Sequence, residues 1–214
     1  MIDELYYVLF LLRCQSCKNR HLKSGGQVNQ IIEQRLTDHL EVMQKLIASD
    51  LPSKLEQCAA YFERALTKGH KVLFCGNGGS AADSQHLAAE FVGRFQKERK
   101  GLPAIALTVD TSILTAVAND YGYDTVFARQ VQALGERGDV LVGISTSGNS
   151  PNVLLAIETA KAKGIACIGM TAEGGGKMAE VCDICLAVPA KVTARVQEMH
   201  ILMGHILCEL VDYE

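Results

Sequence analysis

The chain has 214 residues, a net charge of −3, 48% hydrophobic and 21% charged residues. That length and balance fit one large α/β domain, or one domain with an added helical segment, and nothing in the charge suggests a nucleic-acid surface. No apolar run approaches the ~20 residues needed to span a bilayer.

Residues 6–12 are apolar but follow Met-Ile-Asp-Glu rather than a basic region, which argues against a signal peptide. Residues 1–26 end in Lys23-Ser24-Gly25-Gly26 and are expected to be a disordered extension, with one domain over residues 27–214. Residues 29–49 read as an amphipathic helix, with Ile32, Leu36, Leu40, Met43 and Ile47 at three- and four-residue steps. Asp50-Leu51-Pro52 breaks it, and a second helix is expected over residues 53–68. Two amphipathic helices before the first strand are hard to cover within one domain, so at least one should pack against another subunit.

From residue 71 the pattern alternates. Strands are expected at 71–75, 104–107, 139–144, 166–170 and 183–188. Helices are expected from 80 to about 95, then at 112–121, 124–134, 152–163 and 193–211. Short apolar strands separated by helices predict a parallel sheet covered on both faces, a three-layer αβα sandwich of five strands behind two N-terminal helices. In such sheets ligands bind beyond the carboxyl ends of the strands.

Two loops fall at that edge. One is Ser145-Thr146-Ser147-Gly148-Asn149-Ser150, with Ser150 placed as an N-cap and Pro151 opening the helix. Its hydroxyls and free N–H groups suit a phosphate dianion, and it has no lysine of a nucleotide-binding loop. The alternative is a capped turn without a ligand. The other is Asn77-Gly78-Gly79-Ser80, where Ser80 and Asp83 match a short capping box. The following helix carries His86 and Glu90 at i,i+4, a spacing that serves a metal, an acid/base pair or a solvated surface pair. The last helix carries Arg195, Gln197, Glu198, His200 and His205. Gln197 and His205 are eight residues apart; they can face one cleft, but binding one ion from one straight helix would strain the geometry. Either that helix starts near Gln197, or the two residues serve sites from different subunits; His200 faces elsewhere and reads as structural or interfacial. Cys75, Cys167 and Cys208 fall in apolar elements as reduced core thiols. Cys14/Cys17 and Cys182/Cys185 leave a zinc or redox pair open.

Five stretches together carry a resemblance: CGNGGS at 75–80, QHLAAE at 85–90, AND at 118–120, GISTSGNS at 143–150 and RVQEMHILMGH at 195–205. In this order they resemble the phosphoheptose isomerase family of the sugar isomerase (SIS) domain group, over roughly residues 27–213. The resemblance implies a flavodoxin-like SIS fold, a cytoplasmic homotetramer with active sites at subunit interfaces, and no nucleic-acid or membrane partner. It implies isomerisation of sedoheptulose 7-phosphate to D-glycero-D-manno-heptose 7-phosphate, the first step toward the activated heptose of bacterial lipopolysaccharide or other surface polysaccharide. One Zn2+ per subunit would fall on His86, Glu90, Gln197 and His205. Substrate contacts would fall on Asn77, Gly78, Gly79, Ser80, Glu90, Asn119, Asp120, Ser145, Thr146, Ser147, Ser150 and Gln197. Glu90 and His205 would be the acid/base pair. Thr193-Ala194 stand where some members carry an acidic residue. Two other readings share the fold or the phosphate loop. One is a non-catalytic phosphosugar-binding regulator or replication-initiator adaptor, which lacks members of the His/Glu/His set; the other is a sugar-phosphate mutarotase or epimerase.

Overall fold

The computed structural model describes residues 25–212, so nearly all of the expected extension, with Cys14 and Cys17, lies outside the described residues. The chain divides into two units, residues 1–40 and 41–214, and helix α1 (Gly25–Ile47) runs across the boundary. In the first unit, Val28, Ile31, Ile32, Leu36 and Leu40 are exposed along α1.

In the second unit α2 (Leu51–Thr67) starts two residues earlier than its pattern predicts. Pro52 sits in the first turn, where its missing N–H costs nothing, so it opens the helix. Then follow β1 (Val72–Gly76), α3 (Gly79–Val92), β2 (Ala104–Ala106), α4 (Thr111–Tyr121), a 3₁₀ turn (Tyr123–Thr125) and α5 (Val126–Leu134). The second half runs β3 (Val140–Ile144), α6 (Pro151–Ala162), β4 (Ala166–Thr171), α7 (Met178–Val181), β5 (Ile184–Ala187) and α8 (Thr193–Asp212). The expected helix at 124–134 is therefore split into a 3₁₀ turn and α5. The short α7 is hidden in sequence by the glycines at 174–176 before it.

All strand pairs are parallel, in the order β2-β1-β3-β4-β5. This is the flavodoxin-like order, and its direction reverses between β1 and β3. Side chains alternate across the sheet. Phe74, Val142 and Met170 pack with Phe62, Phe91, Met203 and Leu207 from α2, α3 and α8. Leu73, Cys75, Leu141 and Cys167 pack on the other face with Val131, Ile157 and Met178 from α5, α6 and α7. With both faces covered, the central strands are buried throughout, which is why they read as unbroken apolar runs.

Helix α3 stops at Val92, about one turn short of its expected end. Gly93 caps it through its N–H to Ala89 O, and Arg99 turns back to donate to the carbonyls of Glu90 (3.1 Å) and Phe91 (2.9 Å). Arg99 in turn bonds buried Asp212 at the end of α8 (2.6 Å), which also accepts the N–H groups of Gln96 (2.7 Å) and Lys97 (3.1 Å). Among the described residues, no helix is long and apolar enough to cross a membrane.

Candidate active site

Both loops lie where the sequence puts them, after β1 and β3 at the reversal point of the sheet. Ser145 Oγ lies 2.8 Å from Ser150 Oγ and 3.3 Å from Ser147 Oγ. Ser150 occupies the N-cap position of α6, but its hydroxyl makes no capping bond and faces Ser145 instead. The three hydroxyls thus form one cluster at a positive helix end, able to donate to an anion. Asn149 closes the turn by donating to Ser147 O (2.7 Å) and accepting from Lys177 N (3.1 Å). Thr146 O accepts from Ala172 N, so the loop is fixed to the chain after β4.

Gly148 has φ +64, and a Cβ there would lie 2.1 Å from Gly175 O. Both the left-handed backbone and the neighbouring carbonyl demand glycine. Gly148→Ala is therefore expected to cost about 2 kcal/mol in urea unfolding and to raise KM for a sugar phosphate at least tenfold; an unchanged KM would show that the loop does not hold the phosphate.

The first loop differs from its sequence pattern. The N-cap of α3 is Gly78, with no side-chain cap, so the Ser80/Asp83 capping box does not form. Ser80 is buried and its carbonyl accepts from Ser84 Oγ (2.8 Å). Asn77 and Asn152 exchange two amide hydrogen bonds (2.9 and 2.8 Å), a pairing across the two loops that no motif signals. The Tyr123 hydroxyl also reaches Asn77 Oδ1, at 3.5 Å. Asn119 and Asp120 are exposed at the end of α4 and bonded to one another (2.8 Å).

Helices α3 and α8 run parallel. Gln197 lies against Gly79, where a Cβ would meet its Nε2 at 2.2 Å, and Gly204 lies against Leu87. In the second half of α3, His86 Nε2 stands 3.0 Å from His205 Nε2 and 3.2 Å from Glu90 Oε1. Ligand atoms of these three residues lie within 4.8 Å of one another, the only such His/Cys/Asp/Glu group among the described residues. A tetrahedral zinc with Zn–N near 2.05 Å separates its ligand atoms by about 3.3 Å, so the cluster has the spacing of a metal-binding set. Phe95 stacks on the His205 ring, with centroids 5.4 Å apart, and fixes its plane.

Helix α8 begins at Thr193, so the alternative of a late start near Gln197 does not hold. Within one chain Gln197 sits at the loop end, about 12 Å along the axis from His205. Asp83, one turn before His86, has Oδ2 buried without a hydrogen-bond partner, and burial raises its pKa against the lowering effect of His86.

Of the two roles its position allows, structural or interfacial, His200 has a structural one within the chain. It is fully buried, with Nε2 3.1 Å from Thr171 O, and it fastens α8 to the end of β4. Burial holds its pKa at about 4, against the raising effect of the Thr171 carbonyl. The unfolded imidazole titrates near 6.5. Stability from this site is therefore complete above pH ~6.5 and is lost as the pH falls toward 4. Replacing His200 by Gln should remove about 3 kcal/mol of acid sensitivity between pH 7 and pH 4 in unfolding titrations; an unchanged slope would refute a neutral buried imidazole.

Cys182 and Cys185 form no disulfide, and burial pushes the Cys182 thiol up to about 12, helped by Cys167 and Cys185. Burial thus disfavours the thiolate that redox chemistry needs.

Residues 36–172 match the family model of the SIS domain. The chain is 53% identical over 184 residues to a phosphoheptose isomerase of Nitratidesulfovibrio vulgaris (strain Miyazaki F), covering 86% of this chain and 88% of that one. It is 59% identical over 163 residues to a phosphoheptose isomerase of Rhodospirillum rubrum, covering 76% and 87%. Its fold superposes on the phosphoheptose isomerase of Neisseria gonorrhoeae with a TM-score of 0.83 at 43% identity, over 87% of this chain and all of that one. By fold, by loop geometry and by these matches, the chain belongs to the phosphoheptose isomerase family of SIS-domain proteins.

Proposed function

We propose that the chain isomerises sedoheptulose 7-phosphate to D-glycero-D-manno-heptose 7-phosphate. The observation that carries this reading is the convergence of His86, Glu90 and His205 on parallel helices that start at the phosphate-type loops. The loop hydroxyls of Ser145, Thr146, Ser147 and Ser150, with Asn77, Gly78, Gly79 and Ser80, hold the phosphate end and the chain of hydroxyls. Asn119, Asp120 and Gln197 complete the substrate contacts.

Ketose–aldose exchange moves a proton from C1 to C2 and another from O1 to O2 through an enediolate. Glu90 has one oxygen beside His86 Nε2 at 3.2 Å, and its other oxygen is left to take the C1 proton and return it to C2. His205 exchanges the oxygen-bound proton. Two imidazole nitrogens at 3.0 Å need one proton between them, so His86 fixes which tautomer His205 adopts.

The same residues fit a zinc ion by spacing and by donor type, two imidazoles and a carboxylate. Bound there, zinc would polarise the substrate carbonyl as a Lewis acid. A fourth ligand from Gln197 would have to come from another subunit, given its place at Gly79. The exposed apolar face of α1, at Ile32, Leu36 and Leu40, supports assembly into a homotetramer. Six free cysteines among the described residues support a reducing, cytoplasmic setting.

The test is to incubate purified chain with sedoheptulose 7-phosphate, with and without zinc, and to identify the product by NMR. Appearance of the aldose with manno stereochemistry is expected. No turnover under either condition would leave the non-catalytic, phosphosugar-binding reading in its place, and a product that is still a ketose would mean an epimerase.

A further inference from the structure

At the opposite edge of the sheet, before β1, β3 and β4, lies a cavity of about 350 Å³ lined by Tyr61, Arg64, Lys68, His70, Arg137 and Asp139 among others. A second cavity of about 290 Å³ shares Tyr61, Gly164 and Ala166 with it, so the two make one groove.

The charges of this groove do not cancel. Asp139, the acid on its wall, has a fully buried side chain that is already satisfied. It takes Lys71 Nζ at 2.8 Å and the N–H groups of Lys71 (3.0 Å) and Glu136 (2.8 Å). Asp183, in the second cavity, is paired with Lys161 at 3.4 Å. That leaves Arg64, Lys68 and Arg137. The Arg64 guanidinium lies over the Tyr61 ring, 5.5 Å from its centroid. The Arg137 guanidinium is packed alongside Gly164, 3.2 Å from where a Cβ would stand. Three cations with no acidic partner among the described residues thus line one concave space in a chain whose net charge is −3. Guanidinium groups recognise phosphate oxygens in pairs, and a concave site strengthens the attraction.

We propose that this groove is a second ligand site, for a small molecule that carries a diphosphate or longer phosphate chain. One phosphate monoester carries about −2, too little to neutralise three cations, whereas the charge of a diphosphate matches them. The site is separate from the isomerase site. Strands β1 and β3 begin at this groove and end at Asn77 and Ser145, about 16 Å away for five residues of parallel strand. A ligand here would therefore grip the starts of the two strands whose ends carry the phosphate-type loops.

Pyrophosphate is the probe. Calorimetric titration of the full chain should show saturable binding that weakens at least tenfold in the double variant Arg64→Ala/Arg137→Ala. It should stay within twofold in Ser145→Ala/Ser150→Ala, which disables the other anion loop. Binding that follows the serines instead, or no binding at millimolar pyrophosphate, overturns the proposal. A second measurement needs no variant: a wild-type crystal soaked in pyrophosphate should hold it between Arg64 and Arg137. Density confined to residues 145–150 overturns the assignment as well.

Discussion

Glu90→Gln is expected to lower kcat for sedoheptulose 7-phosphate by about 10³-fold, with KM and the oligomeric state unchanged. The amide keeps the size of the carboxylate and can still bond His86, so packing around α3 is preserved. What it loses is basicity, and no neighbouring group can replace it. Asp83 is the nearest other acid on α3, but its side chain is turned into the protein, with Oδ2 buried. Proton exchange at C1, followed by NMR in deuterated water, separates the step itself from binding. A variant within tenfold of the wild-type rate would remove Glu90 from the proton transfer and leave it only a ligand or a packing residue.

Asp212→Ala is expected to cost about 3 kcal/mol of stability in urea unfolding. Burial alone would raise the pKa of this carboxyl. The N–H groups of Gln96 and Lys97 and the Arg99 guanidinium outweigh burial and hold it below the usual carboxylate value. Its contribution is therefore present above the unfolded pKa of ~3.9 and lost as pH falls through the lower folded value. The acid limb of the wild-type profile below pH 4 should flatten in the variant. This window lies below that of His200, so the two sites can be told apart in one titration. The effect should also reach catalysis, because Arg99 bonds the carbonyl of Glu90 itself. A loss under 1 kcal/mol would mean that water takes over from the carboxylate.

Much of this was legible in the chain. The apolar runs at 140–144 and 166–170 needed no correction of type, because a strand buried on both faces leaves no other signature. The i,i+4 pair of His86 and Glu90 places both groups on one face of any helix, and the structure adds His205 from a second helix. What stayed hidden depends on contacts between distant segments. Asn77 with Asn152, Phe95 on His205 and Arg99 with Asp212 join residues 75–113 positions apart, and no local pattern predicts such pairs. The Ser80/Asp83 box failed for a related reason. A local capping bond competes with burial of Ser80, and burial prevailed. Gln197 and His205 show the limit most plainly: their spacing posed the question of one site or two, and only the pairing of α8 with α3 puts Gln197 beside Gly79 and His205 beside His86.

That pairing has an electrical consequence. In an all-parallel sheet the helices that follow the strands start on the same side, and α3, α6 and α8 all begin around the loops at 77–80 and 145–150. Each start carries about half a positive charge, so three aligned dipoles aim their positive ends at one mouth. A chain with a net charge of −3 therefore presents a local attracting field to a dianion and draws it in phosphate first. Capture should slow as salt is added, since that field fades over about 10 Å at 0.1 M ionic strength.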